Sequence, residues 1–163
     1  MRQIFATMLL AAFSSGATAQ DALAPPPGAR KLFELRADGV QIYACKPTDQ
    51  GFGWVFEAPE AVLFGADGKR AGTHLKGPTW VLVDGSSVTG ELSAKQASPK
   101  SGSIPWLLLK VKTHQGKGEL GPVTFIRRVN TEGGAQPLDG CDSAHKDENA
   151  RVPYSATYEF FGP

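Results

Sequence analysis

The sequence predicts an all-β domain: a β-sandwich or closed β-barrel of about nine to ten short antiparallel strands, with little or no helix after the leader. Three observations carry that expectation. Short apolar and β-branched runs alternate with polar residues, and no amphipathic run of helical length follows the leader. Asp-Gly pairs recur at Asp38-Gly39, Asp67-Gly68 and Asp84-Gly85, and suit tight hairpins because the second residue readily takes positive φ. The chain holds 19 glycines and 12 prolines in 163 residues, enough to supply many turns. That length fits one domain, since domains cluster near ~100–150 residues. Charged residues at 20% and apolar residues at 41% exclude global disorder.

Residues 1–19 read as a signal peptide. Arg2 precedes an apolar stretch from Ile4 to Phe13, and Ala17-Thr18-Ala19 supplies the small residues a signal peptidase accepts. Cleavage is expected after Ala19, with export to the periplasm or the medium. Seventeen basic residues face sixteen acidic ones, and removing Arg2 balances them. A balanced chain has little pull on nucleic acid or anionic lipid, and no apolar run reaches the ~18–20 residues of a membrane span. Residues 20–29 form a Pro-rich linker, because Pro25-Pro26-Pro27 locks φ and removes three donors. Residues 30–163 form the single all-β domain.

Within it, strands are expected at Lys31–Leu35, Val40–Cys45, Gly53–Glu57, Ala61–Phe64 and Arg70–Leu75. Thr79–Val83 is apolar on both faces and reads as a central strand. Ser87–Leu92, Ile104–Val111, Val123–Val129 and Tyr154–Phe161 complete the set, with Pro105 near a strand start because it cannot donate to a ladder. Residues 93–103 and 130–153 read mostly as loop.

Cys45 and Cys141 are the two cysteines. In an oxidising compartment they pair as a structural disulfide; no Cys-x-x-Cys spacing supports a metal or redox role. Gly116-Lys117-Gly118-Glu119-Leu120-Gly121 spells a dinucleotide-binding pattern, but Pro122 and a β-branched run follow where a helix would have to open. We reject an NAD-dependent dehydrogenase and expect a glycine-rich turn. His74, His114 and His145 share no ligand spacing, so no metal site and no cofactor is expected. Ser86, His74 and Asp84 can be drawn as a triad, yet Ser86 lies outside a Gly-x-Ser-x-Gly elbow and no catalytic residue is assigned.

His74 reads first as a half-buried strand histidine with a backbone partner. It is also the best polar candidate for contacting a ligand or acting as a base. Trp54, Trp80, Trp106 and Tyr43 lie on strands and are either core or the wall of an aromatic pocket. Arg127 and Arg128 occupy adjacent strand positions and face opposite ways. An inward arginine needs a carboxylate or an anionic ligand, and Arg128 joins the candidate binding set.

Several segments together carry a resemblance. They include Val40-Gln41-Ile42-Tyr43-Ala44-Cys45, Gly72-Thr73-His74-Leu75-Lys76-Gly77-Pro78-Thr79-Trp80, Arg128-Val129-Asn130-Thr131-Glu132-Gly133-Gly134 and Val152-Pro153-Tyr154-Ser155-Ala156-Thr157-Tyr158. The chain resembles the exported domain of unknown function 3455 (DUF3455) family over residues 30–161. The resemblance implies secretion and a single small domain. It implies no activity and no catalytic residue. The expected function is a non-enzymatic binding module for a small molecule or glycan. The alternatives are a hydrolase-type enzyme centred on His74 and an envelope or extracellular interaction protein without a pocket. The sequence leaves the oligomeric state open.

Overall fold

The computed structural model describes residues 21–163; the leader and its cleavage site lie outside them. Eight strands run in chain order: β1 (Arg30–Thr48), β2 (Gly51–Phe64), β3 (Arg70–Leu75), β4 (Thr79–Leu82), β5 (Ser87–Gln96), β6 (Trp106–Gln115), β7 (Phe125–Gly133) and β8 (Asn149–Gly162). Each pairs antiparallel with the next, and β8 returns to β1, so one sheet closes as an up-and-down barrel. The described residues contain no helix. Of the two architectures expected, the barrel is the one formed, and eight strands is close to the expected number.

The difference in count has a local cause. Asp38-Gly39 does not turn the chain; it lies inside β1, with Gly39 opposite Ala61 and Tyr154. A Cβ on Gly39 would come 2.2 Å from the Glu60 carbonyl oxygen, so the glycine serves a close strand approach. The two stretches expected on either side of Pro59 likewise join as β2. Asp67-Gly68 and Asp84-Gly85 do turn the chain, with Gly68 at φ 76° and Gly85 at φ 86°. β4 has no privileged central place, because a closed ring has none.

The two ends of the barrel differ. The end holding the β2–β3, β4–β5 and β6–β7 connections is packed solid. Leu35, Ala37, Leu63, Leu82, Val88, Ile126 and Phe160 fill it from the strands, and Leu120 and Val123 close it from the 116–124 connection. The glycine-rich segment is therefore a plug. Gly116 approaches the Gly85 carbonyl, and Gly118 sits against the Asp84 carboxylate, both closer than any Cβ allows. The Ser86 hydroxyl donates to Asp84 Oδ1 (2.6 Å) and accepts from the Leu120 amide (3.3 Å). The Glu119 amide donates to Asp84 Oδ2 (2.8 Å). Leu23, from the Pro-rich segment, is also buried.

Candidate functional site

The opposite end of the barrel is open. It carries the 49–50, 76–78, 97–105 and 134–148 connections, and below them lies a cavity of about 780 Å³. Eight-stranded barrels leave room for filling side chains or for one small ligand. Here the lower half is filled and the upper half is not. β3 and β4 are short, and β2 meets β3 only from Ala61 to Phe64, so the wall is low on that side. The Gly77-Pro78 turn, Phe56 and Leu92 border the cavity there.

His74, Trp80 and Tyr158 form its aromatic floor. The His74 ring stacks on Trp80 at 4.4 Å and tilts against Tyr158 at 5.0 Å, while Trp80 meets Tyr158 edge-on at 5.4 Å. His74 Nδ1 lies 3.0 Å from the Thr79 carbonyl oxygen. A carbonyl only accepts, so Nδ1 carries the proton and donates, and Nε2 is left as an acceptor. Burial pushes the His74 pKa down to about 3, and the nearby Arg128 charge acts the same way against the Thr79 bond. The imidazole is neutral at ordinary pH.

Arg128 enters from β7, beside Ile126 on the inner face, while Arg127 points outward to Glu159 (2.6 Å). Arg128 is 8% exposed. Its Nε and Nη2 both donate to the Pro105 carbonyl, at 3.1 and 2.9 Å. Among the described residues no carboxylate lies within ion-pair distance of it. Tyr43 donates to the Gly134 carbonyl (2.7 Å), and burial raises its pKa. Four more polar ends here are buried without a hydrogen-bond partner: Gln41 Nε2, Trp80 Nε1 and the hydroxyls of Tyr154 and Tyr158. The Tyr154 hydroxyl neighbours both Tyr158 and Gln41 without reaching hydrogen-bond geometry to either, and burial drives its pKa up.

The sequence profile described as protein of unknown function (DUF3455) matches residues 25–162. The chain belongs to the DUF3455 family. No curated protein and no solved structure matches it. The match spans all eight strands of this DUF3455 domain, so the barrel and its cavity lie inside the family's boundaries.

Four residues singled out in the sequence line this DUF3455 cavity together: His74, Trp80, Tyr43 and Arg128. Trp54 and Trp106 do not. Trp54 sits at the rim end of β2 and donates from Nε1 to the Asp139 carbonyl (2.7 Å), holding the 134–148 connection. Trp106 falls on the face of β6 opposite Leu107 and Leu109, which line the cavity. Cys45 and Cys141 are disulfide-bonded with Cα atoms 5.4 Å apart, tying the same connection to β1. Ser86 and Asp84 are spent at the plug, and no hydrogen bond joins either to His74. His114 bonds the Val123 carbonyl and His145 bonds Asp142, so the three histidines serve three separate places. Gln41 and Pro105 were missed in the sequence. Gln41 shares strand parity with Tyr43, which was the available signal; nothing local marks the Pro105 carbonyl as the seat of Arg128. Among the described residues no helix is long and apolar enough to cross a membrane.

Proposed function

We propose that this DUF3455 domain is an exported, non-enzymatic binding module that holds a small organic molecule in the open end of its barrel. The observation that carries the reading is the cavity itself: about 780 Å³, walled by aromatic and aliphatic side chains with a few converging polar ends. That is the size and chemistry of a site for one drug-sized molecule. The Cys45–Cys141 disulfide and the apolar stretch before Ala17-Thr18-Ala19 support export with cleavage after Ala19.

The enzymatic alternative centred on His74 is weaker on physical grounds. An imidazole with a pKa near 3 is a poor base at neutral pH. The nearest triad-like serine is committed to the plug. An interaction protein with no pocket would have no use for a half-empty barrel.

The test is native mass spectrometry of the protein recovered from its own host's exported fraction, beside the denatured mass. A native mass exceeding the denatured one by a discrete small-molecule increment is expected. The denatured mass should also correspond to loss of the leader through Ala19. A bare native mass, together with unmoved tryptophan fluorescence across a broad ligand panel, would overturn the reading.

A further inference from the structure

The unsatisfied groups around the cavity can all donate. Trp80 Nε1 and Gln41 Nε2 can only donate, and the Tyr158 hydroxyl can donate. Arg128 adds a full positive charge, with N–H groups left over beyond the two that hold Pro105. A buried donor without an acceptor is destabilising, and a buried unpaired charge is more so. The acidic residues at the rim do not relieve this. Glu57 pairs with Lys76 (3.5 Å) and Glu91 with Lys112 (3.1 Å), both at the surface. Lys95 also borders the cavity and has no ion pair among the described residues. Nearby acceptors are the Tyr154 hydroxyl, which neighbours Tyr158 and Gln41, and His74 Nε2.

Resting on the binding reading above, we propose that the ligand is an organic monocarboxylate with a sizeable apolar body. Its oxyanion is held by Arg128, with Tyr158 and Gln41 donating beside it, and its body lies against Trp80, Leu107 and Leu109. One buried cation matches one negative charge. The guanidinium fork is already oriented by the Pro105 carbonyl, which favours a planar carboxylate accepting two N–H bonds over a bulkier dianion. A two- or three-carbon acid would leave most of the cavity unfilled, so the apolar body is part of the specificity. Lys95 at the rim draws the anion toward the mouth without fixing it.

The experiment compares isosteres on the folded wild-type protein by isothermal titration calorimetry, using decanoate against decanamide and 4-phenylbutyrate against 4-phenylbutyramide. At least one acid should bind, and at least about tenfold tighter than its amide, the difference a charge-assisted fork supplies. Arg128→Gln should abolish that preference, weakening the acid at least about tenfold more than its amide. Tyr158→Phe should weaken the acid more than its amide and serves if Arg128→Gln does not fold. Acid and amide binding equally would overturn the carboxylate assignment and leave the binding module standing. No binding by either member of both pairs up to about 1 mM would overturn the assignment. If the native mass is also bare, the binding reading falls with it.

Discussion

His74 links folding to pH through a group that stays neutral when buried. Its folded pKa, about 3, lies below the ordinary 6.5. Between those values the unfolded chain binds a proton that the folded chain refuses. The stability it contributes is therefore complete above pH ~6.5 and is lost as pH falls toward 3, at up to roughly 1.4 kcal/mol per unit. His145 acts with the opposite sign, because Asp142 raises its pKa, but it is fully exposed. His74→Asn keeps a donor for the Thr79 carbonyl and removes the titration. Urea unfolding of both proteins from pH 7 to 5 should show the slope in wild type and a flatter profile in the variant; parallel profiles would mean His74 is not held neutral. At this scale much was legible. Opposite faces for Arg127 and Arg128 followed from strand parity alone. Which tryptophans face inward did not, because an indole suits either face of a strand equally well. Gln41 was hidden by its apolar neighbours Val40 and Ile42, which face outward.

The strands were legible as a pattern of alternation, and their breaks were not. Asp38-Gly39 has the composition of a turn, but its glycine answers to the Glu60 backbone across the sheet, a partner distant in sequence. Asp84-Gly85 has the same letters and does turn. Its aspartate and the following serine also anchor the plug. Ser86→Ala leaves the Leu120 amide without its acceptor and strips a hydroxyl donor from Asp84. A loss of about 1–3 kcal/mol in urea unfolding is expected, with ligand affinity at the far end unchanged. A stable variant that had lost activity on some substrate would instead revive the serine as a nucleophile. The plug shows why the glycine-rich spelling misleads. The glycines permit close backbone approach to Gly85 and Asp84, with no helix behind them to receive a phosphate.

For the molecule as a whole, barrel and sandwich could not be separated in the sequence, because closure depends on the pairing of the first strand with the last. The disulfide spans 96 residues and joins β1 to the long rim connection. A Cys45→Ser, Cys141→Ser double variant should be about 2–5 kcal/mol less stable in urea, by restoring freedom to the unfolded chain. The same variant should be cut sooner within residues 134–148 by a protease, since the Tyr43–Gly134 and Trp54–Asp139 hydrogen bonds and the Lys46–Asp147 ion pair (2.8 Å) are then the main remaining side-chain ties. Unchanged cutting would show that those ties suffice. The β1–β8 seam has a further consequence. It runs from Arg30 opposite Gly162 to Ala44 opposite Asn149, nearly the whole height of the wall. The domain thus has no expendable end. Trimming either terminal strand unzips the cylinder into an open sheet, bares two rows of backbone donors and acceptors, and leaves the cavity without a side.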